Sequence, residues 1–153
     1  KGRKHILYII RELIEFKPEN NQTDLSVALQ YLTNVIKKRC TAFLISDFLV
    51  QQDFQTDLTL ANRKHDVVAI QVYDQRETEL PSVGLIRVKD AETGREMLID
   101  SASKNLRNNY RRWWEKQELR LDTTFKKSKV DAVSVSTAQD YVKALMALFN
   151  LRN

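Results

Sequence analysis

Two acids stand where open α/β sheets tend to do their chemistry. Asp47 follows at once on the apolar run Thr41-Ala-Phe-Leu-Ile-Ser46, and Asp74 closes the run Val67-Val-Ala-Ile-Gln-Val-Tyr73. If both runs are strands of a parallel sheet, both carboxylates lie beyond the carboxyl ends of strands, where such sheets bind ligands. A carboxylate there, close to helix N-termini, can hold a hard cation through oxygen. The plainer role for each is to cap the turn that follows. Thr23-Asp24 is the other candidate: a hydroxyl and a carboxylate opening a helix just before the strand that delivers Asp47. If the two loops share an edge, Thr23 and Asp47 converge on one ion; if not, Thr23 is an N-cap and Asp24 a favourable first-turn charge.

Other chemistries find less support. His5 lies near the start on a helix and His65 sits between Lys64 and a strand, and neither has a nucleophile in a recognisable turn. There is no Gly-x-Ser-x-Gly elbow. One cysteine, Cys40, and two separated histidines give no zinc spacing. Three glycines at 2, 84 and 94 make neither a Walker loop nor a dinucleotide fingerprint. A metal-dependent hydrolase built on Asp47 and Asp74 would need further carboxylates or a histidine beside them. These absences argue for a binding protein over an enzyme.

The elements that must position these residues are read from periodicity. Ile6, Ile9, Ile10, Leu13 and Ile14 predict a helix over 3–16, ended by Pro18 and Glu19-Asn20-Asn21. Leu25, Ala28, Leu29, Leu32 and Ile36 predict a second helix behind the Thr23 cap, closed by Lys37, Lys38 and Arg39. The runs 41–46 and 67–73 lack polar alternation and read as strands buried on both faces, separated by a helix over 53–64. Ile86 and Val88, then a turn at Glu92-Thr93-Gly94, then Met97-Leu98-Ile99, read as a β-hairpin. A long helix from about Ser103 to Phe125 carries Leu106, Tyr110, Trp113, Leu121 and Phe125 inward. A strand over 130–135 and a last helix, capped by Thr137 and packing Tyr141, Val142, Leu145, Met146 and Phe149, complete the chain. Helices alternating with buried strands predict an α/β fold with an open, mostly parallel sheet and an inserted hairpin. Residues 1–153 read as one unit without internal repeats.

The chain of 153 residues carries 25 Lys or Arg against 20 acids, a net charge of +5. The charge is uneven: residues 101–129 hold nine cations against three acids, a net +6, so the rest sums to −1. An acidic protein, nucleic acid or an anionic membrane surface could each use such a stretch. Within it Tyr110-Arg111-Arg112-Trp113-Trp114 mixes cations with aromatics, which could stack on bases or grip phosphates. The alternative is an amphipathic helix with Trp113 inward and Trp114 at a partner-facing edge. Arg107, Arg111, Arg112, Trp114 and Lys116 are then the expected partner or anion surface.

No apolar run approaches the ~20 residues that span a bilayer. The segment Ile6–Phe16 is broken by Arg11, Glu12 and Glu15, so no signal peptide is expected. The lone Cys40, read as a small buried hydrophobe, fits a reducing, cytoplasmic setting. Without an initiator Met, the numbering is expected to begin inside a longer protein.

Taken in order, Thr23-Asp-Leu25, Leu44-Ile-Ser-Asp-Phe48, His65-Asp-Val-Val-Ala-Ile-Gln-Val-Tyr-Asp74 and Leu80-Pro-Ser-Val-Gly-Leu85 resemble the bacterial domain-of-unknown-function family fifty-eight, a von Willebrand factor A-like (vWA-like) family. The hairpin string Asp90-Ala-Glu-Thr-Gly94 and the closing Ser136-Thr137 with Asp140-Tyr141-Val142 match it too, so the resemblance covers nearly the whole chain. It implies the C-terminal part of a vWA/Rossmann-like domain whose central first strand lies upstream. It also implies a metal-ion-dependent adhesion site around Mg²⁺, often completed by a partner's acidic side chain. By motif Thr23 and Asp47 would be metal ligands, with Asp24, Ser46 and Asp74 around them. The Asp-x-Ser-x-Ser element of that site is missing: Asp100-Ser-Ala-Ser103 and Asp131-Ala-Val-Ser-Val-Ser136 have the wrong spacing and place. Mg²⁺ is therefore expected in the parent protein and weakly or not at all in this chain.

The resemblance further implies work with a MoxR-type AAA+ ATPase in assembling or maturing other proteins, on the cytoplasmic side of a parent that can carry membrane segments upstream. Loss of the central strand would leave the 42–46 strand at a sheet edge, so self-association through it is expected. Nucleic-acid binding through the basic helix 104–127 is the competing reading, with steep salt dependence as its signature.

Overall fold

A computed structural model describes residues 2–17, 23–90 and 94–152, with Leu151 described by its backbone alone. The element order is α1 (Arg3–Glu15), α2 (Leu25–Val35), β1 (Thr41–Ser46), α3 (Gln55–Lys64), β2 (Asp66–Tyr73), α4 (Gln75–Thr78), β3 (Leu85–Lys89), β4 (Glu96–Asp100), α5 (Lys104–Ser128), β5 (Asp131–Ser136) and α6 (Tyr141–Leu151). The break expected at Pro18–Asn21 and the turn residues Glu92 and Thr93 lie outside the described residues. Among the described residues, no helix is long and apolar enough to cross a membrane.

The fold is α/β, with an open sheet of three parallel strands in the order β1-β2-β5. Thr41 pairs with Asp66 and Ser46 with Gln71, while Val68 pairs with Asp131 and Tyr73 with Ser136. All three carboxyl ends therefore point the same way. The predicted hairpin forms a separate antiparallel pair, with Leu85 opposite Asp100 and Lys89 opposite Glu96.

The two faces of the sheet are unequal. On one face Leu44, Val67 and Ala69 join Leu25 and Leu29 of α2, Leu58 and Ala61 of α3, and Leu121 and Phe125 of α5 in one core. Side chains alternate along a strand, so Phe43 and Ile45 face the other way. There α6 packs on β5, and its Phe149 meets Phe43 edge-on with ring centroids 6.2 Å apart. An apolar cavity of about 320 Å³, lined by Ile45, Ile70, Val72, Val135, Tyr141 and Leu145 among others, remains on this face.

That asymmetry corrects the strand reading. β2, flanked on both sides, is buried as expected, but Phe43 is 49% and Ile45 63% exposed on β1. β5 is also largely exposed outside Val135 and Ser136. A run of apolar residues records what a strand can tolerate; its place in the sheet order decides what covers it. Helix α1 likewise buries none of its residues.

Helix boundaries follow local chemistry. Asp24 caps α2, accepting from Val27 N at 3.1 Å, so the cap lies one residue beyond the expected Thr23. Asp140, accepting from Val142 N at 3.0 Å, caps α6 where Thr137 was expected; β5 runs on to Ser136 and a turn intervenes. Ser103 caps α5, and its far end closes at Lys129 in the left-handed region. Helix α2 ends at Val35 without a glycine, and side chains serve its last carbonyls. Lys37 Nζ donates to Asn34 O at 2.7 Å, Lys64 to Thr33 O, and His65 Nε2 to Leu32 O at 3.0 Å.

Within α5 the two tryptophans exchange their expected places. Trp114 is buried at 8% exposure and Trp113 is 45% exposed. At about 100° per residue, Trp114 falls within the arc set by Tyr110, Leu121 and Phe125, and Trp113 falls about 60° outside it. Trp114 is therefore part of the packing and not of a partner surface.

Candidate functional site

The C-terminal end of β1 is a tightly bonded turn. Ser46 Oγ accepts from Phe48 N at 3.0 Å, and Asp47 Oδ1 accepts from Leu49 N at 3.1 Å and from Ser46 Oγ at 3.4 Å. Phe48 sits at φ 56°, a conformation costly for a bulky residue. The core holds it there: its ring lies 6.0 Å from Phe54 and 5.2 Å from Phe125. Burying Phe48 thus fixes the turn that leaves Asp47 exposed.

The topology brings Thr23-Asp24 to the same edge. The bonds from Lys64 and His65 tie the last turn of α2 to the start of β2, which pairs with the start of β1. Helix α2, about 16 Å long at 1.5 Å per residue, then runs back so that its N-terminus lies toward the end of β1. Its Leu25 joins Phe48 and Val50 in the core. Thr23 and Asp24 are exposed there.

Asp74 stands at the end of β2, accepting from Arg76 N at 2.8 Å as the cap of α4, a single turn unforeseen from sequence. The neighbouring strand end is tied in by Thr137 N donating to Tyr73 O at 3.0 Å. Asp24 and Asp74 each spend an oxygen on a cap, and both bonds to Asp47 fall on Oδ1. Among the described residues, no three of His, Cys, Asp and Glu cluster as a metal site. The donors at this edge are hard oxygens, of the kind Mg²⁺ takes, but fewer than its six.

The basic helix is partly spoken for. Arg107 Nη1 donates to Ser101 O at 2.6 Å, Ala102 O at 2.8 Å and Ser82 Oγ at 3.2 Å, clasping the base of the β3–β4 hairpin. Buried Ser101 completes the clasp by donating to Gly84 O at 2.6 Å. Arg111 pairs with Glu79 at 3.3 Å, Arg120 reaches Gln51 O and Gln52 O, and Lys126 pairs with Asp122 at 2.7 Å. Arg112 and Lys116 are exposed, next to exposed Trp113. Tyr110 donates to Glu77 O at 2.6 Å, and burial, with the Glu77 charge second, raises its phenol above the usual value.

Sequence reasoning passed over the polar interior. His65 is fully buried; a carbonyl can only accept, so Nε2 carries a proton and donates to Leu32 O, and Nδ1 lies 3.5 Å from the Cys40 sulfur in a hydrogen-bonded contact. Cys40 is therefore half-buried and hydrogen-bonded, more than a small hydrophobe. Gln71, buried on β2, joins Glu118 of α5 at 2.9 Å and Ser134 of β5 at 2.7 Å. Arg152 bridges Asp66 and Asp131. A polar residue inside an apolar strand, as at Gln71, was the one visible signal among these.

A family profile described as "Protein of unknown function DUF58" matches residues 1–120. Uncharacterized protein Mb1516 of Mycobacterium bovis is 32% identical over 145 residues, covering 92% of this chain and 45% of that protein. Uncharacterized protein Rv1480 of Mycobacterium tuberculosis matches to the same extent. Uncharacterized protein MAV169 of Mycobacterium avium is 29% identical over 137 residues, covering 88% of this chain and 79% of its own. The chain thus spans about half the length of the first of these relatives. No solved structure matches it. With the profile covering most of the chain, the chain belongs to the DUF58 family of proteins of unknown function.

Proposed function

We propose that this chain is a protein-interaction module of vWA-like type contributing part of a metal-ion-dependent adhesion site. Thr23 and Asp47 would hold Mg²⁺, with Asp24, Ser46 and Asp74 around them. The observation that carries this reading is the arrival of Thr23-Asp24 and the Ser46-Asp47 turn at one end of the sheet. Mg²⁺ would present a positive pole to an acidic side chain of a partner. The remaining oxygens would come from the longer protein, so this chain binds the ion weakly or not at all. In that protein the module would work at the cytoplasmic side with a MoxR-type AAA+ ATPase in assembling or maturing other proteins.

An NMR titration with Mn²⁺, a paramagnetic stand-in for Mg²⁺, tests the site. Selective broadening of amides at 23–24 and 46–47, lost in Asp47→Ala, supports it. Broadening centred elsewhere, or unchanged in Asp47→Ala, removes Thr23 and Asp47 as ligands. Silence in this chain moves the test to the longer protein, where the same outcomes decide.

A second reading, nucleic-acid binding through α5, draws on Arg112, Trp113 and Lys116 lying exposed together. It requires that log K fall steeply with log salt and that Arg111→Ala, Arg112→Ala and Lys116→Ala together abolish binding. Unchanged affinity for DNA and RNA in that triple variant ends it.

A further inference from the structure

We propose that the recess between the C-terminal ends of α3 and α5 binds a phosphate monoester, held by Arg63, Lys127 and Lys129. It stands apart from the metal reading. Helix α3 ends at Lys64 just before β2, and α5 ends at Ser128 just before β5, so the recess lies at the amino ends of the strands, opposite Asp47. Its walls come from α3, α5 and the turn into β5; a further strand beside β1 would lie across the sheet from it.

The recess has a volume of about 260 Å³ and is lined by Thr59, Asn62, Arg63, Lys127, Ser128 and Lys129. Three of those six residues are exposed cations, and no carboxylate is among them. Arg63 comes from α3, more than sixty residues away in sequence, so the cluster is made by the fold. Much of the basic stretch is engaged, Lys126 with Asp122 and Arg111 with Glu79. Among the described residues, the side chains of Arg63, Lys127 and Lys129 take no ion pair or hydrogen bond. The acids nearest to them in sequence are spent elsewhere: Asp122 on Lys126, and Asp66 and Asp131 on Arg152. Like charges gathered in one recess repel, and an anion between them relieves that repulsion.

Cations often gather at helix C-termini merely to serve the last carbonyls. Here another side chain does that work. Asn62 Nδ2 donates to Ser128 O at 3.2 Å and to Lys129 O at 2.6 Å, while the backbone N–H groups of Lys129 and Val130 return to Lys126 O and Phe125 O. Lys129 also sits at φ 53°, where helices ordinarily place glycine. The chain thus keeps a cation at a position whose backbone geometry favours a residue without a side chain.

The floor is polar, uncharged and satisfied. Thr59 Oγ1 lies 3.1 Å from buried Ser128 Oγ and donates to Gln55 O at 2.8 Å. The rim therefore selects the ligand. A phosphate monoester brings nearly two negative charges and three acceptor oxygens. An arginine fork can take two of those oxygens, and lysines act as point charges on the rest. At about 260 Å³ the recess falls below the ~300–1,000 Å³ of pockets for larger ligands, which favours a small ester over a nucleotide. The same group can arrive on a free solute or on a lipid headgroup.

Amide NMR of the 153-residue chain, titrated at constant ionic strength with glycerol phosphate and, as a monoanion control, acetate, reads the site. The expected result is saturable shifts at 59–63 and 126–130 with half-saturation near about 1 mM, and none of that pattern with acetate. Arg63→Met and Lys127→Met should each weaken binding about tenfold. Lys129→Gly should weaken it similarly while raising the melting temperature, a combination that a purely structural lysine would not give. Asp47→Ala and the triple change Arg111→Ala, Arg112→Ala and Lys116→Ala should leave it unchanged, which separates this site from the metal and nucleic-acid readings. Cosedimentation with vesicles containing phosphatidic acid, but not with phosphatidylcholine alone, together with silence toward glycerol phosphate, assigns the phosphate to a lipid headgroup if Lys127→Met abolishes it. Shifts that never saturate, that spread evenly over exposed lysines, or that survive Arg63→Met with Lys127→Met overturn the proposal, as does silence toward both the ester and the vesicles.

Discussion

Replacing His65 by alanine should be among the most damaging single changes in this fold, although His65 touches no candidate ligand. The ring is fully buried, donates to Leu32 O at 3.0 Å and meets the Cys40 sulfur at 3.5 Å. Leu32 O is one of the last four carbonyls of α2, which the helix itself does not satisfy. Stranding it as a buried acceptor costs about 1–3 kcal/mol. The void left by an imidazole, roughly 60 Å³ at ~24 cal/mol per Å³, adds about 1.5 kcal/mol. A loss near 3 kcal/mol lowers the melting temperature of a domain of this size by about 6–12 °C. His65→Phe fills the void but still strands the carbonyl, so it should fall between wild type and alanine. Melting followed by far-UV circular dichroism at neutral pH reads all three proteins. An alanine variant melting within about 2 °C of wild type would refute the argument that this side chain terminates α2, and a phenylalanine variant as weak as alanine would refute the division between void and hydrogen bond.

Two further outcomes follow from side chains around α5. Arg107→Ala removes three bonds at the base of the hairpin; a local loss of about 2 kcal/mol should speed amide exchange in β3 and β4 about 30-fold while leaving β2 unchanged, and equal acceleration in both would contradict a local clasp. Tyr110 is held protonated by burial and by Glu77, so its folded pKa lies above its unfolded value near 10. The sign is then fixed: the stability this group supplies is whole below about pH 10 and declines as pH rises from there through the raised folded value. Wild type should therefore lose stability more steeply than Tyr110→Phe between pH 9.5 and 11 in urea melts, and parallel curves would contradict the buried phenol.

The order of elements was legible because it is local. Helical spacing in 3–16, 25–36 and 141–149, and unbroken apolar runs at 41–46 and 67–73, each name an element without reference to any other segment. What failed was either phase or partnership. Choosing Trp113 over Trp114 was an error of one residue on a 25-residue helix, and the arc from Tyr110 to Leu121 and Phe125 contained the information to avoid it. The caps at Asp24 and Asp140 were displaced because Thr23 and Thr137 are also N-cap residues, although Asp is the better of the two and the structure uses it. The Cys40–His65 contact spans 25 residues and the Gln71–Glu118 bond 47; nothing in the spacing of either pair announces it. At the candidate site, Asp47 and Asp74 were placed at strand ends by sequence alone, but their hydrogen bonds, and the buried Phe48 that forces the turn, depend on the assembled core.

That core also separates the residues that carry stability from those available for binding, and it does so by strand parity. On β1, Leu44 faces α2, α3 and α5, while Phe43 and Ile45 face the side where α6 packs. A parallel sheet is normally covered on both faces, so the second face holds apolar surface whose burial is unfinished. Trimming Leu44 should therefore cost folding stability, read as a lower melting temperature. Trimming Ile45, two-thirds exposed, should cost little stability by the same measure. Adjacent residues on one strand, similar in volume and hydrophobicity, would then differ in effect solely because the pleat turns one toward a finished layer and the other toward an open one.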